Sequence, residues 1–393
     1  MNKINIIDFG ASCSCEDNAV SIQNAINAAE GGGTVIVPKG VYYTSTLYLK
    51  SNVTLYLEDG ACIKAVSDVS KYAENGFYDS FGQVTNSFMI ARACENVSMA
   101  GKGIIDISAY DFLDYTINDD DRQAWGEFAE EIPARPNERI RRPILFDRCK
   151  NIHISDIKLV NSPCWTLTFN NCDDIKISGI TVDNDIRTPH SDGIHICGSK
   201  NAIITGCNLK CGDDCVALTC LLEESLICRN IVITNCIMQS SSAAIRVGHI
   251  GGRVENVLVS NVCIHDTNRG LAVFAGDGGY VKNVSVSNVI MDTHILAGGW
   301  WGKGEPFVIC SANSSGIIDN VRISGLSAKS ENIGVVAGNV TGLSIHDSNI
   351  RIVDSDKRKL ASSFDIAPNG KLCAENDFSG TFYAEQGIEV NIN

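Results

Sequence analysis

The segment Asn230-Ile-Val-Ile-Thr-Asn-Cys236 contains the pattern that decides the fold: an Asn or Asp, then alternating apolar residues, then a small or polar turn. The same pattern begins at six other positions, which are Asn151, Asp174, Asn201, Asn256, Asn283 and Asn320. Successive copies are 23 to 37 residues apart, and no helical pattern separates them. A repeat of roughly 20 to 50 residues with alternating strands predicts a solenoid in which each repeat is one coil of a parallel β-helix.

The repeat predicts an all-β protein with one domain, a single-stranded right-handed parallel β-helix. Weaker early copies extend the predicted solenoid over residues 33–352. Within residues 1–32, apolar residues at helical spacing follow Asp17 and end at three glycines, which predicts a short N-terminal capping helix. Residues 353–393 are less periodic and are predicted to cap the other end, because the open core of a solenoid needs covering.

Residues 110–140 interrupt the repeat and are predicted to form a long loop over one face. The loop carries three consecutive aspartates at positions 119–121. A basic cluster lies close by, formed by Arg135, Arg139, Arg141 and Arg142. The cluster could attract an anionic substrate, but pairing with the three aspartates is the favoured interpretation.

Composition limits the partners. The chain has 393 residues with 32 Lys and Arg against 46 Asp and Glu, so its net charge of −14 argues against nucleic-acid binding. No apolar run approaches the 18 or so residues of a membrane span, which predicts a protein without membrane segments. The first ten residues resemble a strand rather than a signal peptide, so a cytoplasmic location is expected. The sequence carries no reliable signal of oligomeric state.

The 17 cysteines are predicted to be reduced core residues rather than a disulfide framework. Cys207 and Cys236 occupy the seventh position of the repeat, where other copies carry Ile or Val. Cysteine there is expected to replace an aliphatic core residue. Cys211, Cys215 and Cys220 could be metal ligands, but no pair of Cys-x-x-Cys motifs accompanies them, so no metal or cofactor is predicted.

Three acidic residues stand out because charges are sparse within the coils: Asp192, Asp213 and Asp214. Asp192 and Asp213 are 21 residues apart, close to one coil, which predicts neighbours about 4.8 Å apart on successive coils. Carboxylates this close raise each other's pKa, so their assembly suggests a metal, a shared proton or catalysis. Glycosidic cleavage would use a protonated carboxyl beside ionised ones, whereas a calcium site or a plain Gly-Asp-Asp turn would use the same residues.

At these residues the sequence resembles the polygalacturonase family, glycoside hydrolase family 28. The similarity extends over nearly the whole chain, through Asp8-Phe-Gly-Ala11, Gly31–Pro38, Ser162-Pro-Cys-Trp165, Ser191-Asp-Gly-Ile194 and Gly212-Asp-Asp-Cys215. The resemblance implies a pectin lyase-like solenoid and an inverting glycoside hydrolase for pectin-derived oligosaccharides. It further implies that Asp213 is the general acid, and that Asp192 and Asp214 position and deprotonate the attacking water.

The sequence also departs from the family pattern. The Gly-His-Gly motif falls near Ser242-Ala243-Ala244, without its histidine, and the Arg-Ile-Lys motif falls within Gly270–Phe274, without either cation. Such cations pair with uronate carboxylates through charge-assisted hydrogen bonds. Their loss shifts the expected substrate from plain polygalacturonan towards rhamnogalacturonan-type or other modified oligosaccharides. A cytoplasmic location would favour exo-action on small imported pieces.

Other residues could supply the missing substrate contacts, although each is also compatible with a structural role. Four of them are grouped around the acidic motifs and the lost histidine: His190, His195, Arg246 and His249. Arg269 immediately precedes the lost cation motif.

Two adjacent tryptophans, Trp300 and Trp301, cannot both face the core from one strand. One of them could form a platform for a sugar ring, with Lys303 or Glu305 reaching the polar edge of the sugar. A loop tryptophan wedged against the solenoid is an equally good interpretation.

Two rival functions use the same residues. A polysaccharide lyase would bind calcium through Asp192, Asp213 and Asp214 and use Arg246 as its base. A non-catalytic carbohydrate-binding solenoid would explain the loss of the histidine and the cations. Hydrolysis is the favoured prediction because all three acidic positions are present.

Overall fold

Alternating apolar residues build two long parallel sheets that coil around a shared core, as a computed structural model shows. The structure describes residues 2–78, 82–221, 226–311, 315–354, 382–384 and 390–392. Each complete coil contributes two short strands or one long strand to a 22-stranded sheet, and one strand to an 11-stranded sheet. The pairings within both sheets are parallel and join successive coils, for example Leu167 with Ile194 and Ile194 with Val216. The predicted parallel β-helix is therefore confirmed.

The large sheet begins near the N-terminus and contains the repeat found in the sequence. Its strands are Asn2–Asn5, Gly33–Val37, Gly40–Thr44, Val53–Leu57, Ala61–Ala65, Glu95–Gly101, Ile104–Asp106, Lys150–Ser155, Lys158–Val160, Asp173–Ser178, Thr181–Asp183, Lys200–Thr205, Asn208–Cys211, Ile227–Thr234, Ile237–Ser240, Arg253–Thr267, Tyr280–Thr293, Ile317–Ser330, Val340–Thr341, Leu343–His346, Asn349–Ile352 and Val390–Ile392.

The small sheet follows the connections that leave the large sheet. Its strands are Leu47–Tyr48, Met89–Arg92, Ile144–Asp147, Leu167–Asn170, Ile194–Cys197, Val216–Thr219, Ala243–Val247, Arg269–Ala275, Glu305–Ser311, Gly334–Ala337 and Phe382–Ala384.

The asparagine that opens each repeat has a conformational reason. These residues have φ between 53° and 61°, a left-handed conformation that Asn tolerates better than most residues. Their side chains also bond to one another along the solenoid; for example, Asn256 Nδ2 donates to Asn230 Oδ1 at 3.1 Å. The repeat is thus set by a backbone turn and by a ladder of exposed amides, in addition to the buried apolar residues.

The core holds the inward residues of both sheets, including Ile194, Ile196 and Ile204. Cys207 and Cys236 belong to it, as predicted from their place in the repeat. No disulfide joins the cysteines of the described residues.

The ends of the solenoid follow the sequence-based prediction in part. The helix Ala19–Ala28 buries Ile22, Ala25 and Ile26 against the first coils, which confirms the capping helix. Within the N-terminal segment, however, Asn2–Asn5 already pairs with Gly33–Val37 as a strand of the large sheet. Most of the predicted C-terminal cap lies outside the described residues. Two short strands within it extend the sheets.

Segments outside the coils cover the small sheet. The antiparallel strands Ala73–Tyr78 and Val84–Ser87 form one of them. The insertion 110–140, predicted as a loop, contains the helix Asp119–Trp125, and Leu113–Asp114 pairs with Arg135–Pro136. The side chains of Asn118 and Asp121 each accept a hydrogen bond from the other residue's backbone amide and so cap this helix. The loop prediction was based on the charges of this segment and overlooked the capping signal. The short 3-10 helices are Ile6–Phe9, Val69–Lys71, Ala109–Asp111 and Gly126–Glu131. In the described part of the chain, no helix has the length and apolar character needed to cross a membrane.

Candidate active site

One register position of the small sheet carries most of the candidate residues. Pairing aligns seven core residues on successive strands, which are Ile144, Leu167, Ile194, Val216, Ile245, Leu271 and Phe307. The residues two positions earlier form what we call the site column: Arg142, Trp165, Asp192, Asp214, Ala243, Arg269 and Glu305. Neighbouring members therefore lie on adjacent coils, about 4.8 Å apart along the axis. The fold brings charged side chains together at one edge of the sheet.

The register corrects one detail of the sequence-based prediction. Because Ile194 pairs with Val216, Asp192 lies beside Asp214 rather than Asp213, which is one residue earlier. The amide of Gly193 donates to the carbonyl of Asp214 at 2.9 Å. Glycine is required in both acidic motifs, because a Cβ at Gly193 would lie 2.6 Å from the Cys215 carbonyl oxygen. A Cβ at Gly212 would lie 2.1 Å from the Thr188 carbonyl oxygen.

Asp192 is buried and is held by His195. The Nδ1 atom of His195 lies 3.0 Å from Asp192 Oδ2, and its Nε2 lies 2.8 Å from the Thr219 hydroxyl. Burial, assisted by Arg246, keeps the pKa of His195 well below its ordinary value, so the ring is neutral. A neutral ring that donates from Nδ1 to Asp192 accepts the Thr219 hydroxyl at Nε2. Among the described residues, no group hydrogen-bonds to the other oxygen of Asp192, Oδ1.

Arg246 joins the two neighbouring carboxylates. Its Nε donates to Asp214 Oδ2, and its Nη2 lies 3.5 Å from Asp192 Oδ2. The backbone amide of Ala243 donates to Asp214 Oδ1 at 3.1 Å. Burial disfavours the guanidinium charge, but Asp214, Asp192 and Asp213 outweigh this effect and raise the pKa of Arg246. Arg246 is therefore a permanent cation inside the acidic cluster.

Asp213 differs from the other two aspartates because it remains partly exposed and, among the described contacts, forms no ion pair with Arg246. Its Oδ1 accepts the amide of Asp214 at 2.9 Å. Desolvation and the nearby carboxylates of Asp192 and Asp214 raise the pKa of Asp213 well above its ordinary value. Burial and Asp214 also raise the pKa of Asp192. Arg246 opposes the shift of both carboxyls, but among the described contacts it forms an ion pair with Asp192 and not with Asp213.

Two further histidines flank the cluster at different depths. His190 is exposed, and its Nδ1 lies 2.9 Å from Nη2 of the buried Arg139. Because arginine only donates, Nδ1 of His190 accepts, and the neutral ring carries its proton on Nε2. His249 is half-buried, and burial together with Arg246 lowers its pKa to about 3.

Trp165 lies in the site column but has both faces occupied. Its ring stacks on His195 with a centroid distance of 3.8 Å. The guanidinium of Arg142 lies 5.0 Å from its centroid. Arg142 also donates to Tyr78 O at 3.3 Å, which links the site to the hairpin that covers the sheet. The ring of Trp165 therefore supports His195 from one side.

The two adjacent tryptophans have different environments. Trp300 is 6% exposed and donates from Nε1 to the carbonyl of Glu131 at 2.8 Å, fixing its loop to the insertion 110–140. Trp301 is 40% exposed, with its ring 4.9 Å from that of Phe274. The guanidinium groups of Arg246 and Arg269 lie 5.6 and 4.7 Å from the Trp301 centroid. Trp301 is thus the tryptophan beside the acidic cluster, whereas Trp300 is buried and attaches its loop to the insertion.

Arg269 and Glu305 are buried and paired with each other. Arg269 donates from Nη2 to Glu305 Oε1 at 3.0 Å and from Nε to Oε2 at 3.3 Å. The backbone amide of Lys303 donates to the same carboxylate at 2.6 Å. Lys303 is half-buried, and burial lowers the pKa of its amine. Of these three, Lys303 has the side chain that is partly accessible.

The structure divides the nine predicted substrate contacts into two groups. Five have buried side chains that contact other groups of the protein: His195, Arg246, Arg269, Trp300 and Glu305. Four are exposed or half-buried beside the cleft: His190, His249, Trp301 and Lys303. The direct substrate contacts therefore remain a prediction, and these four are the accessible candidates.

The basic cluster near the insertion is also divided. Arg135 pairs with Asp121 at 2.6 Å, as favoured. Arg139 and Arg142 are instead buried beside His190 and Trp165, and Arg141 bonds to Gln83. The sequence interpretation missed the first two, although Arg142 lies two residues before a small-sheet strand, as Asp192 and Asp214 do.

The described residues contain no arrangement of side chains suited to a metal ion. No group of three or more His, Cys, Asp or Glu side chains there is arranged to hold a metal ion. The thiol of Cys215 donates to Gln239 O at 3.1 Å, and that of Cys220 donates to Arg253 O at 3.3 Å. These contacts suit protonated thiols.

Comparison with known proteins gives concordant results. The chain is 27% identical over 277 residues to an exopolygalacturonase of Cochliobolus carbonum, covering 66% of this chain and 55% of that protein. It is also 27% identical over 262 residues to an endo-polygalacturonase of Pectobacterium carotovorum subsp. carotovorum, covering 64% of this chain and 63% of that one. The chain thus spans only 55% to 63% of the length of these curated relatives.

The fold is similar to that of a hyperthermoactive exopolygalacturonase from Thermotoga maritima. The TM-score is 0.69 at 22% identity, with 89% of this chain and 87% of that chain covered. The model of glycosyl hydrolases family 28 matches residues 35–351, which include the three aspartates and the whole site column. Since the match covers most of the chain and agrees with the fold, the protein belongs to glycosyl hydrolases family 28.

Proposed function

We propose that the protein is an inverting glycoside hydrolase that cleaves pectin-derived oligosaccharides from one end. The observation that carries the proposal is the cluster of three carboxylates, in which Asp192 and Asp214 share Arg246 while Asp213 does not. Glycosidic cleavage needs one carboxyl that keeps a proton and another that is ionised. The cluster supplies both states within one short stretch of the cleft.

In the proposed reaction, Asp213 donates its proton to the leaving glycosidic oxygen. Asp192 and Asp214 hold a water molecule and accept its proton as it attacks the anomeric carbon from the opposite face. The Oδ1 atom of Asp192 is suited to hold this water, because it is buried and no described group bonds to it. Water entering by this route gives inversion, since no bond between sugar and enzyme forms.

The proposed substrate follows from the relatives and from the residues of this cleft. Two of the relatives are named as polygalacturonases, which act on galacturonan. The family's cation motif is expected in the strand Arg269–Ala275, which in this chain contains Ala272 and Phe274 instead of the cations. The ring of Trp301 packs on that of Phe274. An aromatic surface there suits the apolar face of a sugar ring. We infer that the substrate is a galacturonan- or rhamnogalacturonan-type oligosaccharide with at least one modified or neutral sugar.

Exo-action is supported by the segments that cross the outer face of the small sheet. The hairpin 73–87 lies over one end of the site, and Arg142 binds it through Tyr78. At the other end, Trp301 extends from its loop towards His249 on the opposite edge, with ring centroids 6.2 Å apart. A cleft bounded at both ends favours the end of a chain over its middle.

The two rival functions are less well supported. A calcium site would need the space between Asp192 and Asp214 that the Arg246 guanidinium occupies. An arginine whose pKa is raised by three carboxylates cannot act as a lyase base. A binding protein has no need for a buried, mutually repelling pair of aspartates beside a third, since such a cluster costs stability.

Product chromatography tests the proposal. The wild type and the Asp213→Asn variant are incubated with galacturonan, rhamnogalacturonan and neutral plant oligosaccharides, with and without chelator. We expect the wild type to release saturated sugar in both conditions and the variant to release at least about 100-fold less. Asp174→Asn, at an exposed aspartate of the large sheet, is the matched control.

The other outcomes would contradict the proposal. An unsaturated product that requires calcium would support the lyase. Tight binding without release of sugar across the panel, equal in wild type and Asp213→Asn, would support the binding protein.

A further inference from the structure

Arg246 lies close to a position of the site column that carries only a small side chain. Ala243 lies between Asp214 and Arg269 in that column and has no side chain beyond Cβ. Arg246 belongs to the same strand, three residues later, and its guanidinium reaches back to Asp214. The cation thus fills space beside Asp214 that a larger residue at position 243 would occupy.

We propose that Arg246 is a positioning residue of the hydrolytic site, which keeps Asp192 and Asp214 ionised as the pair that binds the attacking water and leaves the proton on Asp213. The inference rests on the proposed function and adds to it a residue with a stated task. Arg246 acts through the aspartates and has no contact with the sugar in this scheme.

The contacts distinguish this task from ordinary structural pairing. Both bonds from Arg246 use Oδ2 atoms, on Asp214 and on Asp192. The remaining oxygens differ, because Asp214 Oδ1 accepts the Ala243 amide whereas Asp192 Oδ1 has no partner among the described residues. Arg246 therefore pairs with both carboxylates through Oδ2 and leaves Asp192 Oδ1 without a bond from any described residue.

The surroundings make the positive charge effective. Arg246 is 6% exposed, so its interactions are little screened by water. Trp301 lies over the guanidinium and helps to exclude solvent. The ionisable groups that face the cluster, from all the elements packed around it, are Asp192, Asp213, Asp214, His190, His195, His249, Cys211, Cys215, Arg142 and Arg269. The pKa values of the three histidines are lowered, so Arg246 is the cation bonded to the carboxylates.

Loss of this cation should change the pH dependence of hydrolysis, not only its rate. Without Arg246, ionisation of Asp192 becomes harder, and Asp213 holds its proton to a higher pH. Both limbs of the kcat/KM profile should then move upwards by about one to two pH units, the usual effect of one close opposite charge. A residue with a purely structural task would reduce kcat/KM equally at all pH values.

The experiment compares pH profiles of kcat/KM for wild type, Arg246→Gln and Arg246→Lys on the oligosaccharide that the wild type cleaves. We expect the limbs to shift in Arg246→Gln and to return to within about half a unit of wild type in Arg246→Lys, which keeps the charge. Arg253→Gln, at an exposed arginine, is the control and should match wild type. Coincident limbs in Arg246→Gln and wild type would overturn the proposal.

A second measurement does not depend on activity, and it also covers a variant that folds poorly at neutral pH. Thermal unfolding of wild type and Arg246→Gln is followed from pH 3 to pH 7. Arg246 stabilises ionised carboxylates, so its loss should destabilise the fold increasingly as pH rises through the range in which the carboxyls of the folded wild type ionise. A Tm difference that is the same at every pH would overturn the electrostatic task, while a wild type that cleaves nothing would instead overturn the proposed function.

Discussion

The outward faces of the two sheets have opposite surroundings, although both sheets belong to the same coils. The strand Lys200–Thr205 of the large sheet alternates between exposed and buried residues, and Asn201 and Ile203 face solvent. The strand Ile194–Cys197 of the small sheet is buried at every residue, including His195. Polar groups on the large sheet therefore meet water, whereas those on the small sheet meet each other.

This difference explains where chemistry is possible. Asp174 on the large sheet is partly exposed and pairs with Lys176 at 3.4 Å, an interaction that solvent and salt screen. Asp192 and Asp213, at the edge of the small sheet, have raised pKa values because burial and the neighbouring carboxylates disfavour their charges. Burial and close carboxylates create the reactive environment, and the coil supplies the spacing.

The largest expected effect is a difference in catalytic rate between substitutions of aspartates on the two sheets. Asp192→Asn removes a carboxylate proposed to hold the attacking water, and we expect kcat to fall by about 100- to 10,000-fold. Asp174→Asn, where the repeat elsewhere carries Asn, should stay within about twofold of wild type, as expected of an exposed ion pair. Initial rates of sugar release measure both. Similar losses in the two variants would remove the functional distinction between the faces.

Most of the fold could be predicted because its signal repeats. The Asn that starts each coil recurs because it adopts a left-handed conformation, and the alternating residues after it recur because they fill the core. The acidic motifs could be placed one coil apart for the same reason. Their pairing was off by one residue because the coil between them is 22 residues long, which the pairing of Ile194 with Val216 fixes.

The rest of the site could not be predicted because it depends on segments outside the repeat. Nothing periodic indicates that Trp300 binds Glu131 in the insertion while Trp301 turns towards Arg246. The same holds for Arg139, which reaches His190 across 51 residues of sequence. Charge pattern favoured pairing with the aspartates at 119–121, a choice that only Arg135 follows.

Two adjacent isoleucines of the large sheet test, through the free energy of unfolding, whether the outward face of this sheet is packed. Ile204 is fully buried in the core, while Ile203 on the same strand is 44% exposed on the outer face of the large sheet. Ile204→Ala should lower the free energy of unfolding by about 2–5 kcal/mol through lost burial and a cavity. Ile203→Ala should change it by no more than about 0.5 kcal/mol. Chemical denaturation measures the difference, and equal losses would mean that the outer face is also packed.

The raised pKa of Asp213 predicts a smaller effect with a defined pH dependence. An acid whose pKa is raised in the folded state binds its proton more tightly there, so stability is lost as pH rises above the pKa of the unfolded chain. Asp213→Asn removes this loss and should raise Tm by a few degrees at pH 7. The gain should shrink as pH falls towards 4, where both states hold the proton. Thermal unfolding at several pH values measures it, and a gain that is constant with pH would contradict the assignment of the proton to Asp213.

The smallest effect concerns the exposed ladder of the large sheet, where Asn256 combines two roles. Its φ is 56°, and its amide bonds to Asn230 at 3.1 Å and to Asn283 at 2.9 Å. Asn256→Gly keeps the left-handed conformation and loses both bonds, whereas Asn256→Ala loses the bonds and adds strain. The alanine variant should therefore be less stable than the glycine variant by about 1 kcal/mol, because only the backbone conformation separates them. Denaturation of the two variants side by side isolates that contribution, and an alanine variant as stable as glycine would show that the amide ladder, rather than the left-handed turn, selects Asn at the start of each coil.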